Sequence, residues 1–279
     1  MSMNPIRRPS MVFCTIVALC AFAPNATPAR ADSGTLVLAV QPEHSQSATR
    51  AAIRPLADYL SKVTGKHCRI LTSPNFLSYW NTIHKGTGYD LAFDSSHFTD
   101  YRVKKLGFIV LVKIPGDINY SLVVLARNSI TDPSELIARR IATLGIPSLD
   151  STRLNAMFPN PMRQPIMVEV SSNEAGLNML LQGKVAAAML PTPLVRQAIA
   201  HGTKLSIVAV TEPIPQTALS AAPSVDRRTR RVIRKSLLDA GDSKSGRKML
   251  QAIGITHFDP ATAAVYRGQS RVLRSYWGY

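Results

Sequence analysis

The sequence predicts an α/β protein of two lobes with a helical C-terminal tail, the lobes joined by two crossing strands. Three observations lead there. Short β-rich runs alternate with stretches of helical spacing from residue 35 to residue 114. A Pro115-Gly116 turn then leads into another strand with no helix between, and a second alternation runs to residue 210. From Ser224 onward the spacing is helical.

Each element has its own signal. Residues 35–40, TLVLAV, are β-rich; residues 47–64 place Ile53, Leu56, Ala57 and Leu60 on one face, and Gly65 stops that helix. Residues 68–71, 89–93 and 108–114 read as strands, and residues 76–84 and 99–106 as helices. In the second unit, residues 120–126 (YSLVVLA), 140–144, 166–170, 186–190 and 205–210 read as strands. Residues 132–137, 151–157, 172–182 and 193–200 read as helices. The tail holds a long helix over DRRTRRVIRKSLLDAG, a second at 244–253 and a third after Asp259-Pro260. The expected division is therefore one lobe from residues 32–117 and 211–279, with residues 118–210 inserted as the other.

The first 31 residues read as a cleaved signal peptide: Arg7 and Arg8, a 12-residue apolar run from Met11 to Phe22, then Ala29-Arg30-Ala31 before Asp32. That run is too short to anchor the chain across a bilayer. Leu19 is large for the position before a lipidated Cys20, so export to the periplasm as a free protein is expected. Cys14 and Cys20 leave with the leader, and Cys68 alone cannot form an internal disulfide.

Lysine and arginine number 33 against 17 acidic residues, a net charge of +16. The stretch from Ser224 onward holds 12 basic and 4 acidic residues. Arg227, Arg230, Arg231 and Arg234 are expected on one side of the tail helix, either as a solvated face or as a surface for an anionic partner. Nucleic acid is not an expected partner, since the interleaved aromatics of a stacking platform are missing.

Several familiar constellations fail on spacing. GTGYDL has Leu91 where a third glycine would stand, and its turn precedes a strand. Gly176 to Lys184 is no P-loop. The six histidines show no H-x-x-x-H pair, and no G-x-S-x-G elbow occurs. No catalytic residue, metal or cofactor is expected, and Cys68 reads as core.

The stretch GTGYDLAFDSSHF, residues 86–98, ends an apolar strand in Asp94-Ser95-Ser96-His97. Ordinary helix capping by Asp94 or Ser95 explains this; so does a ligand pocket at the carboxyl end of the strand.

Pro55-Leu56-Ala57-Asp58-Tyr59-Leu60 followed by Thr64-Gly65-Lys66, the strand Gly86 to Phe93 with Asp90, Tyr120-Ser121, and TDPSEL at 131–136 recur at family-like spacings. So does the ending SLLDAGDSKSGRKMLQAIGITHF followed by DPATAAVY. In that order they resemble the PhnD-like branch of periplasmic phosphate/phosphonate-binding proteins over essentially the whole chain after residue 31. The resemblance implies a type II periplasmic binding fold, most simply a monomer, that delivers a small oxyanion to an ABC permease. A ligand-binding sensor docking on a membrane receptor is the alternative. The family grips a tetrahedral anion with hydroxyls and N–H groups at helix starts. Carried over residue by residue, this implies Ser95, Ser96 and His97; Ser148, Asp150, Ser151 and Thr152; and Ser172 and Asn173. Phe76 and Tyr120 fall where the family places aromatics.

The chain departs from the family pattern in several places. Asp94-Ser95 replaces Gly-Pro, Asp150 replaces a neutral residue, Asn173 stands for a His, Ala186 for an Asp, and Phe76 for a Tyr. Unpaired carboxylates at 94 and 150 would repel an anion, or could pair an ammonium group on the ligand.

Overall fold

The computed structural model describes residue 1, residues 34–276 and residues 278–279. The expected leader and its cleavage after Ala31 lie outside the described residues.

β1 (Thr35–Val40) is buried over its last five residues. α1 (Gln46–Thr64) starts at Ser45, whose side chain accepts the Ala48 N–H, and stops at Gly65 with φ 70°. A glycine takes that left-handed conformation without steric cost. β2 (His67–Leu71), α2 (Phe76–Ile83), β3 (Leu91–Asp94), α3 (Ser96–Leu106) and β4 (Ile109–Lys113) follow. β5 (Asp117–Ile118) leads out of this first unit.

The second unit runs β6 (Tyr120–Leu125), β7 (Arg140–Thr143), α4 (Leu149–Met157), β8 (Ile166–Glu169), α5 (Asn173–Leu181), β9 (Ala187–Pro191), α6 (Thr192–Ala200) and β10 (Leu205–Val210). β11 (Ile214–Pro215) pairs antiparallel with β5. The chain then returns as β12 (Ala218–Ala221) and ends in α7 (Arg227–Leu238), α8 (Lys244–Ala252), β13 (Asp259–Pro260) and α9 (Ala263–Tyr266).

The first sheet has the order β13-β4-β12-β3-β1-β2 and the second β10-β6-β9-β7-β8. β1 is parallel to β2 and β3, and β7 is parallel to β8 and β9. Their carboxyl ends lead into Gln41, Thr72 and Ser95 in one sheet, and Leu144, Val170 and Thr192 in the other. Both sheets are apolar on two faces, as covered parallel sheets require; β3 and β6 are buried throughout. The core of the first unit gathers Leu38, Leu60, Trp80, Phe98 and Ile233. That of the second gathers Leu122, Leu136, Ile141, Leu154 and Met189 on one side and Val123, Leu180 and Val195 on the other.

Some boundaries differ from expectation. The strand expected at 89–93 begins its ladder at Leu91; ahead of it, the Asp90 N–H donates to the Val37 carbonyl at 2.8 Å and its Oδ2 accepts the Val37 N–H at 2.9 Å. The helix expected from Thr99 starts at Ser96. Residues 132–137 hold only a 3₁₀ turn, Pro133–Leu136, closed by an Asp132/Glu135 capping box. The third tail helix is just four residues, followed by a 3₁₀ turn at Gln269–Leu273. Arg234 does not join the basic face. It is half-buried, and its Nη1 donates to the carbonyls of Leu111 at 3.0 Å and Ala261 at 3.3 Å, fastening α7 to β4. Arg227 and Arg231 are exposed and Arg230 half-buried.

Candidate ligand-binding site

The end of β3 answers the question raised by its sequence. Asp94 is fully buried and its carboxylate meets the Arg102 guanidinium twice, Nη1 to Oδ2 at 2.7 Å and Nη2 to Oδ1. The Tyr79 hydroxyl donates to Oδ2 at 2.6 Å. Burial opposes the Arg102 charge, but the facing carboxylate more than offsets this and holds the guanidinium above its ordinary value. Burial, with the Asp94 charge behind it, likewise holds the Tyr79 phenol well above its ordinary value. The acid expected to repel an anion is thus neutralised within its own lobe.

Ser95 is the N-cap of α3, yet its side chain makes no cap bond. Its N–H and hydroxyl both donate to Gln41 Oε1, at 2.9 and 2.7 Å, and Gln41 Nε2 donates to Glu43 Oε1 at 2.6 Å. Neither Asp94 nor Ser95 therefore performs the capping that the sequence suggested. The first-turn N–H groups of α3 have no intrahelical acceptors and receive none from the cap residue.

A cavity of about 150 Å³ lies where this helix start meets others. Its walls include Ser95 at the cap of α3, Leu149 and Asn173 as the first residues of α4 and α5, and Pro191 at the cap of α6. Glu43 and Tyr120, with Ile114, Ile118 and residues 215–217, complete the surround. The starts of α3, α4 and α5 bring N–H donors and partial positive charge to this cavity; at α6 the Thr192 N–H is already donated to the Asn119 carbonyl and Pro193 has none.

The other expected residues fall into three groups. His97 is fully buried, and its Nε2 lies 2.9 Å from the Pro147 carbonyl, tying α3 to the loop before α4. Burial lowers its imidazole to about 3 against the opposing pull of that carbonyl, so the ring is neutral at pH 7. With Nε2 donating, Nδ1 is an acceptor, and it has no partner among the described residues. Ser96 Oγ, Asp150 Oδ1 and Asn173 Oδ1 are buried and unpartnered in the same way. Asp150 Oδ2 accepts the Leu144 N–H at 2.6 Å; burial pushes its carboxyl up to about 6, against the Ser148 and main-chain hydrogen bonds.

Ser148, Ser151 and Thr152 use their hydroxyls inside the turn: Ser148 Oγ on Ser151, Ser151 Oγ on the Gly145 and Ser148 carbonyls, and Thr152 Oγ1 on the Leu149 carbonyl. Ser172 caps the Ala175 N–H at 3.1 Å. Phe76 stands apart. It is buried in the first core, stacked on Phe98 at 6.3 Å between ring centres, and is not on the cavity wall.

Three neighbours of the site carried no sequence signal. Gln41 and Glu43 follow β1 outside any motif. Burial raises the Glu43 carboxyl above its ordinary value. Arg153, one turn beyond Asp150, has its own charge disfavoured by burial. Tyr120 lies in the field of Glu43, Asp150 and Arg153, although burial is the main force raising its phenol. Among the described residues no group of three His, Cys, Asp or Glu side chains could hold a metal ion.

A family model described as the periplasmic substrate-binding protein of phosphonate ABC transporters matches residues 38–266. The chain belongs to that family. This binding protein is a component of ABC transport systems, and its two-sheet architecture is that of type II periplasmic binding proteins. PhnD1 from Prochlorococcus marinus, in complex with methylphosphonate, superposes with a TM-score of 0.74 at 12% identity, over 87% of this chain and 98% of its own. A Xanthomonas citri protein bound to ATP gives 0.66 at 16% identity, over 86% of this chain and 96% of its own. A binding protein component of an ABC phosphonate transporter from Pseudomonas aeruginosa gives 0.64 at 12% identity, over 86% and 84%. No curated protein matches the binding protein's sequence.

Proposed function

We propose that the protein captures a phosphorus oxyanion in the cavity ringed by the starts of α3, α4, α5 and α6, and delivers it in the periplasm to an ABC permease. The supporting observation is the meeting of the starts of α3, α4 and α5 on one cavity of about 150 Å³, a size suited to a small tetrahedral group. The unpartnered acceptor Asn173 Oδ1 suits an anion that keeps one proton to donate. The methylphosphonate bound by the Prochlorococcus marinus neighbour is such a group.

Thermal unfolding in the presence of methylphosphonate, phosphite, phosphate, sulfate and arginine tests this reading. A ligand at a hundred times its Kd adds about 2.7 kcal/mol, which is roughly 5–10 °C in Tm for a chain of this size. The expected result is a shift with one or more phosphorus oxyanions that Asn173→Asp, which adds a carboxylate to the wall, reduces at least tenfold in affinity. A shift with arginine alone would refute it.

A further inference from the structure

We propose that the ligand carries an uncharged organic substituent of several carbons, and that this substituent lies in a second cavity adjoining the first. The inference rests on the reading of the first cavity as an oxyanion site. The second cavity measures about 240 Å³, between the start of α1, the end of α8 and the carboxyl ends of β1 and β3. That is about eight times the share of one water in the liquid, roughly 30 Å³.

One feature connects it to the oxyanion site. Glu43, Ile114 and Thr217 line both cavities, so the two adjoin along these residues, beside the Ser95–Gln41–Glu43 hydrogen bonds.

The two walls differ in chemistry. The first is built of helix starts and polar side chains. The second presents mainly apolar surface from Ala52, Ile53, Phe93, Ile114 and Ile253, with Gln41, Glu43, His44, Thr49 and Thr217 at its polar side. The apolar part of such a lining gains by excluding water around an apolar group. Phosphate and methylphosphonate, which lack a substituent of this length, would leave the second cavity unused.

Calorimetric titration with methyl-, ethyl-, propyl- and butylphosphonate reads the proposal directly. Each added methylene buried there is expected to tighten binding about fourfold, and the series about sixty-fold. Ala52→Trp and Ala252→Trp, both at exposed helix positions on the cavity rim, should each flatten that dependence on chain length. Two variants guard against one failing to fold. If methylphosphonate binds but the series is flat, the second cavity does not hold the substituent, while the oxyanion reading stands. A chain-length dependence that survives in both tryptophan variants also overturns the proposal. If no phosphonate of any length binds, both readings fall.

Discussion

Arg102→Met is the most informative single change in the interior. It preserves much of the side-chain length but deletes the cation that neutralises Asp94. Both side chains are 0% exposed, so the carboxylate would be left charged where water cannot reach it. Breaking a buried pair from one side costs about 3–5 kcal/mol, out of a total stability on the order of 5–15 kcal/mol. Replacing both partners should behave differently. In Asp94→Leu with Arg102→Met no buried charge remains, but the Tyr79 hydroxyl loses its acceptor, a loss of about 1–3 kcal/mol. The double variant is therefore expected to be more stable than Arg102→Met alone. Urea denaturation at pH 7 measures this, with the emission of Trp80, which is 1% exposed and stacked on Phe98, as one probe. A single variant costing under about 1 kcal/mol, or a double variant less stable than the single, would refute this account of the end of β3.

Two further outcomes follow from particular atoms. Burial raises Asp150 from 3.8 to about 6, so the folded protein holds this proton more tightly than the unfolded chain, and stability from this group falls as pH rises from about 4 to 6. Asp150→Asn should remove that fall, gaining on the wild type by about 3 kcal/mol across the window. His97, lowered to about 3, contributes with the opposite sign in both proteins, so parallel pH profiles of the urea midpoint would show that Asp150 is not so perturbed. At the start of α8, a Cβ on Gly246 would lie 2.1 Å from the Ala240 carbonyl oxygen. Gly246→Ala should cost about 1–3 kcal/mol, and an unchanged Tm would contradict that close approach.

The alternation of strands and helices was legible because each element carries its own period and its own stop, as at Gly65. Boundaries slipped where a side chain answered to something distant. Asp90 reads as a strand residue and Asp94 as a cap or pocket acid in sequence; one is bound to the β1 backbone and the other to a guanidinium eight residues on. Arg234 has the spacing of a surface residue, and only the carbonyls of Leu111 and Ala261 reveal its role. Helix starts at 95, 148 and 172 could be marked from serine placement, but their meeting at one cavity depends on both sheets. Glu43 and Arg153 had no motif to mark them. Phe76 was placed by resemblance, and the pattern of α2, with four of its eight residues buried, puts it in the core.

β12 lies between β3 and β4 and is hydrogen-bonded to both. These two strands are close in sequence, yet they have no contact in the ladder until residues 218–221 arrive. The whole of the second sheet is threaded between residues 120 and 210, so it can assemble from a continuous stretch while the first is still missing a central member. A chain emerging amino-end first therefore holds the sheet begun by residues 35–113 unfinished until its last quarter appears.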